Sequence, residues 1–304
     1  MKRDILSVED MKDDLEDMID TSIELKKNRY RSYDSMKNKM LGLIFEKSST
    51  RTRTSLEVAI DQLGGHAVYL NPNEMQLGRG ETISDTGHVL SKFLDAIAYR
   101  AFDHKNVLEL ARSSSIPVIN ALDDVEHPLQ IVADFMTITE KKGKTKGLKF
   151  AYVGDGNNMT NSLMLGAAIL GTDIYVATPK GYEPKVEFVE KAKKYAKESG
   201  STVNIGNDPV EAVRDADIIY TDVWISMGEE SKKGEKEKAF ARYQVNSELV
   251  SNARKDYIFM HCLPAHRGLE VTADVADSIN SVIFDEAENR LHSTKGVLYR
   301  LLSY

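Results

Sequence analysis

Hydroxyl and guanidinium groups are concentrated in residues 49–54, which read Ser-Thr-Arg-Thr-Arg-Thr. This segment follows a predicted strand and precedes a predicted helix. The first N–H groups of a helix bind phosphate oxygens, and an arginine fork does so through paired hydrogen bonds. Four hydroxyls and two arginines in six residues exceed what helix capping requires. We therefore predict a phosphate site at this helix start.

Other polar side chains follow neighbouring predicted strands. Arg100 ends a strand, where a buried cation is costly unless an anion lies beside it. His127 and Gln130, three residues apart at a helix start, can point at one ligand. A single histidine in such a place is more often a cap or a core residue. The pair therefore supports the phosphate hypothesis without establishing it.

The later part of the chain carries groups that suit an amino acid. Asp222 at a strand end can hold an ammonium group, and Ser226 with nearby backbone can bind a carboxylate. Residues 154–159 resemble a dinucleotide-binding turn, but Met159 replaces the third glycine and no clear ribose-binding acid follows. NAD binding is therefore not expected, although the turn can present Asn158 to a small ligand.

His261 and Cys262 lie at the end of a further predicted strand. Adjacent strand residues point to opposite faces, so we expect them not to share a metal ion. A strand-end cysteine can act as a nucleophile, but no histidine at a suitable spacing is identifiable as its base. The chemistry of this segment stays open at this point.

The most charge-dense segment spans residues 228–238 and reads GEESKKGEKEK. On general grounds such a segment is a solvated loop. Its position directly after Asp222 and Ser226 favours a loop that closes over a bound ligand. We predict that residues 226–240 form this lid.

Short apolar runs alternate with amphipathic stretches along the chain, and the candidate residues named above follow the apolar runs. Runs too apolar to have one wet face predict parallel sheets covered by helices on both sides. The predicted strands are 41–45, 67–70, 96–100, 117–121, 149–154, 174–178, 202–205, 217–222 and 257–262, with 282–284 as a possible tenth. The predicted helices are 7–27, 54–63, 85–94, 127–146, 161–170, 184–199 and the last twenty residues. Ligands bind at the carboxyl ends of parallel strands, where the candidate residues lie.

Composition limits the class of protein. A chain of 304 residues suits about two domains, and the 41% hydrophobic content is ordinary for a globular protein. The net charge of −7 argues against a dedicated nucleic-acid or anionic-membrane binder. The lone Cys262 permits no intrachain disulfide, as expected in a reducing cytosol. Since no apolar run has the length of a signal peptide or a membrane span, we expect a cytoplasmic protein.

Five segments together resemble the signatures of ornithine carbamoyltransferases, within the aspartate/ornithine carbamoyltransferase superfamily. They are residues 49–53, 127–130, 222–228, 261–264 and 286–290. The first two are shared with aspartate carbamoyltransferases. The Ser-Met-Gly sequence at 226–228 and the His-Cys-Leu-Pro sequence at 261–264 mark the ornithine branch.

The resemblance implies transfer of the carbamoyl group of carbamoyl phosphate to the δ-amine of L-ornithine, giving L-citrulline and phosphate. This is a step of arginine biosynthesis or of a urea-cycle type, and it needs no metal and no organic cofactor. The implied fold is α/β, with a carbamoyl-phosphate domain at 1–142 and an ornithine domain at 143–285. Each would be a parallel sheet flanked by helices, and the C-terminal helix at 286–304 would pack back on the first. The family forms homotrimers, alone or multiplied, with active sites shared between subunits.

The same resemblance assigns roles to residues. Carbamoyl phosphate would be bound by Ser49, Thr50, Arg51, Thr52, Gln76, Arg100, His127, Gln130, Cys262, Leu263 and Arg290. Among these, Arg100 and His127 would polarise the carbamoyl oxygen, and Gln76 would serve the neighbouring subunit's site. Ornithine would be bound by Asn158, Asp222, Ser226 and Met227. Asp222 and Cys262 would orient the attacking amine.

Alternatives remain for the acceptor and for activity itself. Aspartate, putrescine or an acylated ornithine could replace ornithine, although aspartate needs cations for its second carboxylate where this chain offers Asp222 and neutral donors. A non-catalytic protein that binds phosphate and an amino acid is the alternative from another class. One departure from the family pattern is Gly87-His88, where alanine and arginine are usual, and it concerns a supporting helix or the subunit interface.

Overall fold

The computed structural model describes residues 2–29, 33–76, 80–225 and 230–303. These residues form nine β-strands, all in parallel sheets. They are β1 (Met40–Phe45), β2 (His66–Leu70), β3 (Ala96–Arg100), β4 (Val118–Asn120), β5 (Lys149–Val153), β6 (Asp173–Ala177), β7 (Val203–Gly206), β8 (Ile218–Tyr220) and β9 (Ile258–Met260).

The same residues form twelve α-helices and three short 3-10 helices. The α-helices are α1 (Leu15–Lys27), α2 (Arg51–Gln62), α3 (Ile83–Leu90), α4 (His104–Ser113), α5 (Pro128–Lys142), α6 (Asn158–Leu170), α7 (Val186–Ser199), α8 (Pro209–Val213), α9 (Lys233–Phe240), α10 (Ser247–Val250), α11 (Ala273–Ala276) and α12 (Ile283–Leu302). The 3-10 helices are Val8–Met11, Glu230–Lys232 and Ala241–Tyr243. None of the helices within the described ranges is long and apolar enough to cross a membrane.

The chain divides into two compact units. Unit 1 comprises Met1–Met136 and Glu288–Tyr304, and unit 2 comprises Thr137–Ala287. Both division points fall within helices, the first in α5 and the second in α12. Each unit is a parallel sheet with helices, which confirms the predicted fold class.

The sheet of unit 1 has the strand order β2-β1-β3-β4. Phe45 pairs with Arg100, and Tyr99 pairs with Asn120, so β1, β3 and β4 end at one edge. The side chains of β1 and β3 are almost entirely buried, as expected for strands covered on both faces. This register brings the segments that follow the three strands to the same edge of the sheet.

The sheet of unit 2 has the order β7-β6-β5-β8-β9. Tyr152 pairs with Tyr220, which in turn pairs with Met260. The residues that follow β5, β8 and β9 therefore leave the sheet at one edge. Beneath them, a core with Ile219, Phe259 and neighbouring apolar side chains fixes the strands.

The C-terminal helix packs back on unit 1, as predicted. Lys26 of α1 donates to Asn289 Oδ1 of α12 at 2.8 Å. Gly296 lies so close to Ser22 that a Cβ on it would come within 2.1 Å of Ser22 Oγ. The glycine thus permits the close approach of α12 to α1.

Gly87 plays a similar part between α3 and α4, and this explains half of the departure from the family pattern. A Cβ at this position would come within 2.3 Å of Ser113 Oγ. An alanine would therefore require Ser113 to move. His88 is exposed on the same helix, and nothing in the described contacts explains it.

Three predictions about elements were wrong. Residues 7–27 are not one helix, because a capping box between Ser7 and Asp10 starts the 3-10 helix Val8–Met11 and α1 begins only at Leu15. Residues 282–284 do not form a tenth strand, since Val282 donates one hydrogen bond to Phe259 and α12 then begins at Ile283. Residues 233–238 are helical rather than a loop, as part of α9. Their Lys and Glu residues have high helix propensity.

Candidate active site

The start of α2 lies directly after β1 and carries the hydroxyl-rich segment. Thr52 is buried, and its N–H donates to Ser49 Oγ at 3.2 Å. Thr50 occupies the N-cap position but makes no side-chain capping bond. The Thr50 hydroxyl therefore satisfies none of the N–H groups of this helix start, whose partial positive charge can attract an anion. Arg51 is the first residue of the helix.

Arg290 of α12 joins predicted residues that are distant in sequence. Its Nη2 donates to Thr52 Oγ1 at 3.1 Å, and its Nη1 donates to Gln130 Oε1 and lies 3.4 Å from His127 Nε2. The amide of Gln130 donates to Asp134 Oδ1 at 2.8 Å, which fixes its orientation. All five side chains are buried in unit 1. The Arg290 guanidinium thus links side chains of α2, α12 and the start of α5 in a single polar site.

Positive charge surrounds His127. Burial, together with Arg290, Arg100 and Arg51, holds the pKa of His127 well below its usual value. His127 is therefore neutral at physiological pH. Cations gather in a buried place at high cost unless an anion compensates them, so this arrangement is suited to a bound anion.

Lys47 is a cation that the sequence reasoning missed. It is only 8% exposed, and its Nζ lies 4.9 Å from the centroid of the Phe102 ring. Burial and the nearby Arg100 lower the pKa of Lys47. A lysine directly after a strand resembles an ordinary surface residue. Its place just before the hydroxyl-rich segment was the available signal.

Arg53 shows that the two arginines of this segment differ. Its Nε donates to Glu57 Oε1 at 2.9 Å, and its guanidinium lies 3.5 Å from the centroid of the Tyr69 ring. Its side chain is about two-fifths exposed. From the sequence we predicted that both arginines belong to the phosphate site, whereas Arg53 makes these surface contacts instead.

In unit 2, Asp222 is held in one orientation just after β8. Its Oδ1 accepts hydrogen bonds from the Cys262 thiol at 3.1 Å and from the Val223 N–H at 2.8 Å. Its Oδ2 accepts from Asn157 Nδ2 at 2.8 Å. The structure thus brings Asp222 and Cys262 together, as their predicted joint role requires.

Asn157 was missed because sequence reasoning selected its neighbour. Asn157 is the N-cap of α6, where its Oδ1 accepts from the N–H groups of Met159 and Thr160 while its amide binds Asp222. Asn158 is the first residue of α6, and its Oδ1 accepts from the Met159 N–H at 3.0 Å. An asparagine at a helix N-cap was the signal that could have identified Asn157.

Strand alternation does not apply to His261 and Cys262, and the expectation that they share no metal ion stays a prediction. Strand β9 ends at Met260, and alternation no longer applies to the residues after it. Ligand atoms of Asp222, His261 and Cys262 lie within 4.8 Å of one another. His261, however, uses Nδ1 to accept from the Leu263 N–H at 2.9 Å and Nε2 to contact Glu270 at 3.2 Å. With both ring nitrogens engaged, this group does not fit a metal site.

Four further predicted residues are Ser226, Met227, Gln76 and Leu263. Ser226 and Met227 lie outside the described residues. Gln76 is exposed on the segment between β2 and α3, and its carbonyl accepts from the Glu81 N–H at 3.4 Å. Leu263 follows Cys262 with a φ of 60°, a conformation that its bond to His261 helps to hold.

The segment predicted as a lid is partly built into unit 2. Lys236 of α9 is 2% exposed and donates to Asp155 Oδ2 at 2.6 Å, in the turn that follows β5. Phe240 packs its ring 4.9 Å from Tyr182 and 5.8 Å from Trp224, measured between centroids. Residues 226–229 lie outside the described residues, so closure by residues 226–240 stays a prediction for that part.

Replacing Lys236 with alanine should lower the free energy of unfolding by about 3 kcal/mol, because it leaves the Asp155 carboxylate buried without its cation. Lys233→Ala is the matched control, since Lys233 is exposed and lies 3.9 Å from Glu237. Its effect should stay within about 0.5 kcal/mol. Urea unfolding followed by the fluorescence of Trp224, the one tryptophan of the chain, measures both. Equal losses in the two variants would show that the buried pair has no special role.

Two family models together match nearly the whole chain. The family model described as "Aspartate/ornithine carbamoyltransferase, carbamoyl-P binding domain" matches residues 3–140. The model described as "Aspartate/ornithine carbamoyltransferase, Asp/Orn binding domain" matches residues 146–301. The first match contains Arg51, Thr52, Arg100, His127 and Gln130. The second contains Asp222, Cys262 and Arg290.

Relatives of known name align over their full length. Proteins of Thermoplasma volcanium and Thermoplasma acidophilum, each named "Ornithine carbamoyltransferase, catabolic", are 85% and 82% identical over 303 residues, covering 100% of this chain and 99% of theirs. The solved ornithine carbamoyltransferase from Pyrococcus furiosus has 51% identity and a TM-score of 0.95, covering 99% of this chain and 97% of that one. Since family models and relatives alike cover nearly all of it, this chain belongs to the aspartate/ornithine carbamoyltransferase family.

Proposed function

We propose that this protein transfers the carbamoyl group of carbamoyl phosphate to the δ-amine of L-ornithine, giving L-citrulline and phosphate. The observation that carries the proposal is the convergence of Thr52, His127, Gln130 and Arg290 on one buried cationic site. Residues 1–142 with 286–304 would bind carbamoyl phosphate, and residues 143–285 would bind ornithine. The full-length relatives named for ornithine support this acceptor.

The phosphate group is bound at the start of α2. Its oxygens accept from the backbone and hydroxyls of Ser49, Thr50 and Thr52 and from guanidinium groups. The guanidinium groups are those of Arg51, Arg100 and Arg290, whose positive charges all lower the pKa of His127. During transfer, negative charge grows on the leaving phosphate and on the carbamoyl oxygen. Preorganised cations stabilise that charge more in the transition state than in the ground state, which lowers the barrier.

The carbamoyl group is oriented by neutral donors and acceptors. The Arg290 N–H faces His127 Nε2, which favours the tautomer with the proton on Nδ1. The neutral imidazole then donates to the carbamoyl oxygen together with Arg100. Gln130 and the backbone carbonyls of Cys262 and Leu263 bind the carbamoyl amide. Arginines supply the positive charge, so we propose that no metal or organic cofactor takes part.

The attacking amine is oriented in unit 2. The δ-amine of ornithine has a pKa near that of lysine and is mostly protonated at pH 7, so it must lose a proton before attack. The carboxylate of Asp222, held by Cys262 and Asn157, has lone pairs left to accept from the amine. Asn158, Ser226 and Met227 would bind the α-amino and carboxylate groups. The amine first gives one proton to solvent. The C–N bond then forms as the bond from the carbamoyl carbon to the phosphate oxygen breaks, and the leaving phosphate takes the second proton from the nitrogen.

Ornithine should be the preferred acceptor. We expect its kcat/KM to exceed those of aspartate, putrescine and lysine by at least about 100-fold. Asp222 repels the second carboxylate of aspartate, and putrescine has no α-carboxylate to occupy the carboxylate site. The rate at which each amine gives its carbamoylated product, at a fixed concentration of carbamoyl phosphate, measures this preference. Comparable values for aspartate and ornithine would contradict the assignment. Phosphate binding without any product would favour the non-catalytic alternative.

We propose a homotrimer, or a multiple of trimers, that acts in the cytoplasm. The lone Cys262 suits a reducing compartment, and the exposure of Gln76 in its own chain suits a role in a neighbouring site. The sequence suggested arginine biosynthesis, whereas the names of the Thermoplasma relatives favour catabolism. Rates of citrulline formation and of citrulline phosphorolysis, compared at equal substrate saturation, test the direction to which the enzyme is adapted.

A further inference from the structure

Asp123 is a buried carboxylate in the turn between β4 and α5, and its side chain has no exposed surface. Its Oδ1 accepts from the N–H groups of Val125 and Glu126, both at 2.8 Å. Its Oδ2 accepts from Asn120 Nδ2 at 2.8 Å and lies 2.5 Å from His104 Nδ1. The carboxylate therefore ties the turn to β4 on one side and to α4 on the other.

The turn leads directly into His127. Leu122 at its start has a φ of 113°, a conformation that side chains rarely adopt, and its N–H is held by Asn120 Oδ1 at 2.9 Å. The N–H of Asp123 donates to the Glu126 carbonyl at 3.1 Å. Glu126 directly precedes His127, so these bonds fix the backbone that leads into the histidine.

His104 contacts two residues of this turn, Asp123 and Asp124, from the start of α4. It is the first residue of α4, and its own N–H donates to Asp124 Oδ1 at 2.8 Å. Its side chain is 23% exposed, so it exchanges protons with solvent although it touches a fully buried carboxylate. Histidine changes its charge within the range of about pH 5 to 8.

We propose that His104 is a positioning residue for carbamoyl transfer, whose imidazolium form holds Asp123 and thereby places His127. The proposal rests on the proposed function, because it assigns the turn a consequence for carbamoyl phosphate. The charged groups around His104 come from several elements. They are Asp123, Asp124 and Glu126 on the turn, Asp103 and Lys105 at the start of α4, and Lys47 after β1, which interacts with Asp123 and Asp124.

The sign of the pH effect follows from these neighbours. The hydrogen bond and charge of Asp123 raise the pKa of His104 above its usual value of 6.5, despite burial. The ion pair is therefore fully formed below the usual histidine pKa and is lost as pH rises through the raised pKa. Neutral His104 can still donate from Nδ1, so a weaker hydrogen bond remains at high pH.

The variant His104→Asn separates charge from hydrogen bonding. Its amide nitrogen can take the place of Nδ1, and it is neutral at every pH. We expect kcat/KM for carbamoyl phosphate in the wild type to exceed that of the variant by about threefold to tenfold at low pH, since charge-assisted hydrogen bonds are roughly twice as strong as neutral ones. The ratio should fall to about one at high pH. Taking the ratio cancels the titration of the substrate and of all other groups.

Amide hydrogen exchange of residues 121–127 provides a second measurement, which does not depend on activity. Exchange in the wild type should be slower than in His104→Asn at low pH and equal at high pH. His66→Asn is the matched control, because His66 is an exposed histidine of the same unit, and its ratio should be one throughout. His104→Ala, which removes the donor as well, should have a lower kcat/KM and faster exchange of residues 121–127 than His104→Asn at every pH.

Four outcomes would contradict one of the two proposals. A kcat/KM ratio that does not change with pH overturns the proposal, whether or not its value is one. A pH-dependent difference in hydrogen exchange without one in kcat/KM also overturns it, because His104 would then be merely structural. Absence of citrulline from every protein would refute the proposed function, and equal hydrogen exchange at all pH values would independently refute the role of His104.

Discussion

We expect the Arg51→Ala variant to form citrulline at least about 100-fold more slowly than the wild type at saturating substrate, because it loses a guanidinium contact to the leaving phosphate. Arg51 opens α2, and its charge contributes to the low pKa of His127. Its contact strengthens as charge moves to the phosphate, so the loss should appear in kcat as well as in KM. Steady-state kinetics with both substrates varied measures the two effects separately.

Arg53→Ala is the control from the same helix turn. Arg53 already pairs with Glu57 and lies over the Tyr69 ring, so its kcat should stay within about threefold of the wild type. Arg51→Lys keeps the charge without the fork and should recover only part of the lost rate. Wild-type kcat in Arg51→Ala would show that phosphate binds elsewhere. Equal losses in Arg51→Ala and Arg53→Ala would point to damage of the helix.

Mixed trimers of two inactive variants should regain activity. Gln76 is exposed in its own chain, whereas Arg51 lies at the start of α2, so we expect each site to take Arg51 from one subunit and Gln76 from the next. Arg51→Ala and Gln76→Ala proteins, unfolded and refolded together in equal amounts, pair an intact Arg51 with an intact Gln76 by chance in about a quarter of sites. Activity should return to about that fraction of the wild type.

Each parent refolded alone gives the baseline for this experiment. A mixture of Arg51→Ala with Glu74→Ala is the matched control, since Glu74 is exposed in the same segment as Gln76 and its variant should be active by itself. Sedimentation must show that mixed trimers have formed. Trimers that form and stay as inactive as the parents would place Gln76 in the site of its own chain.

Strand positions could be predicted because buried parallel strands are continuous apolar runs. The predicted run at 96–100 coincides with β3, and the other predicted strands overlap the observed ones by most of their length. The failures have local causes. Val282 makes a single strand-like bond before α12 begins, and residues 233–238 are polar enough to resemble a loop although Lys236 and Phe240 are buried. Sequence patterns cannot show a lysine that is buried by one partner distant in sequence.

The candidate site was predictable where residue type and strand end coincide. Thr52, His127 and Gln130 were selected on that ground, and the structure gathers them around Arg290, which only the family resemblance supplied. Spacing alone selects neither Asn157 nor Lys47, although the N-cap position of Asn157 was an available signal. Asn157 matters through its hydrogen bond to Asp222, and Lys47 through its burial and the nearby charge of Arg100. The register of the strands brings each of these two residues near its partner.

The division of unit 1 into two stretches of chain has a consequence for biosynthesis on the ribosome. Unit 1 stays incomplete until Glu288–Tyr304 has been made, because this stretch follows all of unit 2 in the chain. A nascent chain at that stage already has the helix start with Arg51, but it lacks Arg290, which joins Thr52, Gln130 and His127. The anion pocket therefore forms late in translation. We therefore expect carbamoyl phosphate to bind more weakly to a chain that lacks Glu288–Tyr304 than to the full chain.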